Sequence, residues 1–249
     1  MNLQEIQSIN KYRNLFIQTY PDHAWNTLSL DEFLIQIHAA ARDKGSVVLT
    51  DAGTLMFGDI EQILERFPDY KLQYQEFIGG LSLYDLNSED KDWSGNLFDF
   101  YFKLIPRIES DIAVPFVSRK EGFRISRVDA HTALETVVAN SLAYTNYERQ
   151  NGLYIQKQKR SISLSYAISD DNLEESGYHN DLMSMFSLVN LTSNHDMQWV
   201  LDIWMEQGWD RPDIVVLKHP YNRMEIKLKV GQIVYIPGIA DLRKGTAVL

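Results

Sequence analysis

The sequence predicts a mixed α/β (α+β) fold in two parts, an α/β sandwich built on a mixed sheet with a smaller unit in front. Apolar residues recur at helical spacing in some segments and alternate in strand fashion in others. The second half orders these segments as helix, hairpin, helices and strands, which implies helices layered on a mixed sheet. The chain has 249 residues, 45% hydrophobic and 23% charged, enough for a sizeable core and ordinary for a globular protein.

Residues 1 to about 45 read as helical. Leu30, Phe33, Leu34, Ile37 and His38 share a helical spacing after Ser29, a capping residue, and Lys44-Gly45 stops the run. Val47 to Thr50 is a short β-rich stretch, and Asp51 to Gly58 is a glycine-bounded apolar segment. Together they fit a small α/β unit or a winged-helix-like one, and the pattern alone leaves both open. Ile60 to Phe67 reads as a short helix ended by Pro68, and Lys71 to Phe77 as a strand with Leu72 and Tyr74 on one face. Asp85 to Asp92 is acidic and reads as an exposed loop, and Asn96 to Arg107 as a buried helix. Residues 108–130 read as a connection with an extended piece near Ile112 to Val117. The domain boundary is placed there, giving 1–120 and 121–249.

In the second half, Ala133, Leu134, Val137, Val138, Ser141 and Leu142 form a helical stripe, with Thr132 and Glu135 at capping-box spacing. Asn151-Gly152 marks a turn, after which Leu153–Gln158 and Ser161–Ile168 alternate as a hairpin. Leu182–Val189 and Met197–Gln207 read as helices, the second ending at Gly208. Ile214–Leu217, Met224–Val230 and Gln232–Ile236 read as strands.

Charge and composition narrow the function classes. A net charge of −10 argues against direct DNA binding, because contacts to phosphate need clustered cations. The dense basic stretch, Gln156 to Arg160, reads as a solvated hairpin tip. Absence of cysteine excludes disulfides, thiolate metal sites and thiol catalysis. No apolar run reaches the roughly 20 residues of a membrane span, and Met1 to Arg13 lacks a signal-peptide core. A cytoplasmic location without membrane contact is expected. The histidines lack zinc-hydrolase spacing, and no nucleophile elbow, dinucleotide fingerprint or Walker A motif occurs. His179 with His195-Asp196 is a weak metal candidate. Asp170-Asp171 and Glu174-Glu175 read as a solvated loop, and His38 as a satisfied core histidine.

Several ordered segments carry a family resemblance. They are Leu49–Gly58, Phe67–Tyr70, Tyr74–Glu76, Trp93–Tyr101, Met185–Leu188 and Trp204 to Pro212. Together they resemble RecG-like C-terminal ATP-binding proteins, prokaryotic transcriptional regulators usually preceded by an AlbA/Schlafen-like domain. That leading region has no counterpart here, so the chain is either a fragment or a natural short form. The resemblance implies a GHKL-like second half, whose site takes ATP with Mg²⁺.

Matched residue by residue, the resemblance places Asn140 at the Mg²⁺-binding asparagine and Thr136 where the catalytic glutamate belongs. Glu135 lies about 100° around the helix from Thr136 and does not substitute. The family's H-A-D-Y becomes Tyr144-Thr145-Asn146-Tyr147, its strand-end S-N-P-G becomes Ser165-Tyr166-Ala167-Ile168, and its G-x-x-x-R-N-P segment is reduced to Gly177–Asp181. Its glycine loop becomes Ser193–Asp196, which would put Cβ atoms and a carboxylate where phosphates lie. The implied nucleotide positions are therefore Asn140, Thr136, Asn146, Tyr147, Ser165 and Tyr166, with Asn140 a metal ligand only if nucleotide binds. No catalytic residue and no cofactor is expected. The expected function is a non-catalytic regulatory module acting through a protein partner or self-association, with DNA reached through another domain or partner. An active ATPase and an N-terminal DNA-binding module are the alternatives.

Overall fold

The computed structural model describes residues 3–90, 92–110, 112, 127–169, 177–192, 197–219 and 221–231. The expected extended piece beyond Ile112, the carboxylate pairs at 170–171 and 174–175, the 193–196 loop and the strand at 232–236 lie outside them.

The fold is mixed α/β. The N-terminal unit contains α1 (Leu3–Thr19), a 3-10 turn (Ala24–Thr27), α2 (Leu30–Gln36), a hairpin of β1 (Ala40–Asp43) and β2 (Ser46–Leu49), α3 (Asp51–Phe57) and α4 (Ile60–Arg66). Ser29 caps α2 in a reciprocal box with Glu32, and Asp59 caps α4 the same way with Gln62. The continuous helical reading of residues 1–45 is corrected. Lys44 and Gly45 both have positive φ, 46° and 87°, so they form a hairpin turn instead of stopping a helix. A two-residue loop between short alternating runs outweighs the helical spacing that precedes it.

Beyond α4 come β3 (Leu72–Ile78), β4 (Leu81–Asn87), α5 (Leu97–Glu109), α6 (Arg127–Tyr144), β5 (Leu153–Gln158), β6 (Ser161–Ala167), α7 (Tyr178–Leu188), α8 (Met197–Glu206), β7 (Asp213–Leu217) and β8 (Arg223–Lys229). β3 to β8 form one six-stranded sheet in the order β4-β3-β5-β6-β8-β7. Only β3 and β5 run parallel; every other neighbouring pair is antiparallel. Because β3 comes from the first half and β5 from the second, the boundary at 120/121 cuts through a single sheet. β4 also corrects the acidic loop expected at 85–92, since Leu86 is buried and strand pairing continues to Asn87.

Strand alternation divides the sheet into two faces. Leu72, Tyr74, Leu153, Ile155, Ile162, Leu164, Ile226 and Leu228 are buried and join the helices in one core. The other face carries Gln73, Gln75, Tyr154, Gln156, Ser163, Ser165, Glu225 and Lys227 in register, the polar surface of a sheet covered on one side. Lys157 departs from the expected solvated tip. It falls on the core face, is buried, and donates from Nζ to the Arg107 carbonyl at 2.7 Å.

α6 starts at Arg127, so Thr132 and Glu135 lie inside the helix and form no capping box. Pro106 lies inside α5 on its exposed side, while Phe98, Phe100, Tyr101, Leu104 and Ile108 face the core. No helix among the described residues is long and apolar enough to cross a membrane.

Candidate functional site

The positions implied for a nucleotide site lie on α6, on its C-terminal exit and on β6. Thr136 and Asn140 share one face of α6, one turn apart. Thr136 is buried, and its hydroxyl donates to the Thr132 carbonyl of its own helix at 2.7 Å. Asn140 is half-buried. Beside them, burial raises the Glu135 carboxyl above the usual carboxylate range.

Asn146 and Tyr147 tie the end of α6 to β6 and α7. The Asn146 N–H donates to the Ala167 carbonyl at 2.9 Å, and its side-chain oxygen accepts from the Glu148 N–H at 3.0 Å. Tyr147 is fully buried, with its hydroxyl donating to the Leu142 carbonyl at 2.8 Å and its N–H donating to the Tyr178 hydroxyl at 3.0 Å. Burial holds the phenols of Tyr147 and of Tyr70, whose ring lies 5.1 Å away, far above their ordinary range. Both stay neutral and serve as packing and hydrogen-bonding groups.

Ser165 and Tyr166 are consecutive in β6 and point to opposite faces. Tyr166 is buried on the core side, where burial pushes its phenol up to about 12 and the Ser141 hydroxyl opposes the shift. Ser165 is on the polar face, beside a concavity of 330 Å³ also lined by Lys71, Gln73, Tyr154 and Tyr221. The six positions are thus distributed over a helix face, a helix exit and both faces of a strand. Thr136, Asn140, Asn146 and Tyr147 line neither that concavity nor the N-terminal cavity described below.

The histidines are placed differently from expectation. His179 is buried with Nδ1 2.6 Å from the Ala143 carbonyl, which fixes the start of α7 against the end of α6. His195 and Asp196 fall outside the described residues, within which no group of three or more His, Asp or Glu is arranged to hold a metal. His38 is corrected from a core residue. It follows α2 in a left-handed conformation (φ 61°), its side chain is 69% exposed, and Nδ1 sits 2.9 Å from Asp181 of α7. The helical spacing misled because α2 ends at Gln36, which turns His38 away from the apolar stripe.

Sequence reasoning did not find a cavity of 530 Å³ in the N-terminal unit, lined among others by Glu5, Leu34, Val47, Thr54 and Arg66. Glu5 is a buried carboxylate 3.4 Å from the Gln62 amide, and Arg66 pairs with Asp51 at 2.5 Å. The residues come from separate helices and a hairpin, so no linear motif announces them.

Residues 2–73 match the model of a family described as Domain of unknown function (DUF8451). That region ends at the start of β3 and contains the residues that line the N-terminal cavity. No curated protein matches the chain. Among solved structures, the DIP2311 protein from Corynebacterium diphtheriae is similar at 17% identity, with a TM-score of 0.60 over 90% of this chain and 45% of that protein. The likeness is one of fold, and this chain spans less than half of that protein's length.

Proposed function

We propose that this chain is a non-catalytic regulatory and interaction module of a prokaryotic, cytoplasmic, transcription-linked protein. In this reading it keeps the scaffold of a RecG-like ATP-binding regulator while its nucleotide site is degenerate. One observation carries the reading: the implied site positions do not converge, and Thr136, Asn146, Tyr147 and Tyr166 are engaged in holding the fold. Thr136 bonds back to its own helix, Asn146 and Tyr147 fasten α6 to β6 and α7, and Ser165 and Tyr166 face opposite ways. A working triphosphate site needs its donors convergent and its groups free to meet phosphate and Mg²⁺. DNA, with the chain at a net charge of −10, is reached through another domain or a partner.

The test is calorimetric titration of the protein with ATP and ADP, with and without Mg²⁺. The expected result is no saturable heat up to roughly millimolar nucleotide. Micromolar, Mg²⁺-dependent binding that Asn140→Ala weakens would overturn the reading and favour an active ATP-binding protein.

A further inference from the structure

The two edges of the six-stranded sheet are finished differently. β4 sits at one edge, beside the Gly79-Gly80 turn, and a register shift at Glu76/Phe77 interrupts its pairing. Among the described residues, β7 forms the other edge, in unbroken register with β8. Its Ile214, Val215 and Val216 are 37%, 47% and 46% exposed. Natural edge strands are usually protected by an inward charge, a proline, a bulge or a covering segment. From Ile214 to Leu217, β7 has no charge, no proline and no register shift.

The register fixes which backbone groups β7 presents. Val230 donates its N–H to Arg160 and Ile168 donates to Asn222, so even-numbered residues of β8 bond toward β6. Odd-numbered residues of β8 therefore bond toward β7, pairing with Asp213, Val215 and Leu217. The N–H and C=O groups of Ile214 and Val216 point out of the sheet.

We propose that β7 is a self-association edge, on which a second copy of this chain pairs antiparallel about a twofold axis at Val215. In that register Ile214 pairs with Val216 of the second copy and Val216 with its Ile214, so every outward group of the two residues is used. The side chains fit the same operation. Ile214 meets Val216 on the core side, Val215 meets its own copy on the polar side, and Asp213 lies opposite Leu217, so no like charges oppose one another. Shifting the axis by one residue to Ile214 would put Val216 opposite Pro212, which has no N–H to give. The product is a continuous sheet running through both copies. This gives the interaction-module reading its partner and rests on that reading only for its purpose. Dimerisation is read as mass and nucleotide binding as heat, so either can fail alone.

The experiment is sedimentation equilibrium of the whole chain from about 1 to about 500 µM, repeated at rising salt. A reversible dimer is expected, tightening with salt as the −10 charge on each copy is screened. Val216→Pro removes an outward N–H without touching a bond to β8 and should weaken the dimer at least about tenfold. Ile214→Lys and Val216→Glu should each weaken it alone, and their mixture should recover a heterodimer, because this register places residue 214 opposite 216. Circular dichroism melts confirm that each variant is folded. A wild-type chain that stays monomeric throughout overturns the proposal, as does a dimer indifferent to these substitutions or a mixture without recovery.

Discussion

Two polar regions of the molecule use their side chains in opposite ways. In the joint made by Leu49–Gly58 and Trp93–Asn96, several polar groups fix a backbone turn against a distant element. The Thr50 hydroxyl accepts from the Gly53 N–H at 3.0 Å and donates to the His38 carbonyl at 2.8 Å. Asn96 is buried, caps α5 by accepting from the Asp99 N–H at 2.8 Å, and donates to Ser8 and to the Gly58 carbonyl, each at 3.1 Å. Gly95, at φ 77°, offers its carbonyl to the Tyr70 hydroxyl at 2.7 Å. Along α6, by contrast, several hydroxyl groups bond locally. Thr136 bonds to Thr132, Ser141 to Val137 and Thr145 to Ser141, each donating its hydroxyl one turn back.

That contrast is broken most severely at Gly53. A Cβ there would lie 1.8 Å from the Ala39 carbonyl oxygen, backbone against backbone, with no flexible side chain to yield. Gly53→Ala should cost more than about 4 kcal/mol or abolish folding, measured by urea denaturation. A cost below about 1 kcal/mol would mean that the hairpin does not press on α3. Next comes Asn96→Ala, which removes a helix cap and leaves the buried Gly58 carbonyl without that donor. About 2 to 4 kcal/mol is expected by the same measurement, with the loss centred on the α1–α5 contact in hydrogen exchange.

The comparison also explains what could be read from the sequence. The helix at α4, the β5–β6 hairpin and the end of α8 were legible because Pro68, the alternation of Ser161 to Ile168 and Gly208 act locally. The Lys44-Gly45 hairpin and β4 were missed because their signals compete with stronger neighbours, a helical stripe before one and an acidic run through the other. The exposure of His38 depends on where α2 stops, and the parallel pairing of β3 with β5 is a long-range choice that no local pattern encodes. For the site, spacing correctly put Thr136 and Asn140 on one helix face. It could not reveal that Ser165 and Tyr166 belong to opposite faces of β6 until the strand's register was known, or that Asn146 is held by Ala167.

The smallest expected effect sharpens the α6 side of the comparison. Glu135 occupies the turn where the resemblance would put catalytic chemistry, yet its raised carboxyl comes from burial. Tyr101, whose phenol burial raises and the charges of Glu135 and Glu109 raise further, lies within reach. A carboxyl raised in the folded state stabilises fully only below its ordinary unfolded range, and that contribution is lost as pH climbs through the raised value. Above that window the wild-type helix carries a desolvated anion, whereas Glu135→Gln carries a neutral group of the same shape. Glu135→Gln should therefore melt slightly higher than wild type at neutral pH, and the gap should close as pH falls below the carboxylate range. A gap independent of pH, or a lower melting point at neutral pH, would show that Glu135 is held as a paired anion, and α6 would then retain a charged group with a role beyond packing.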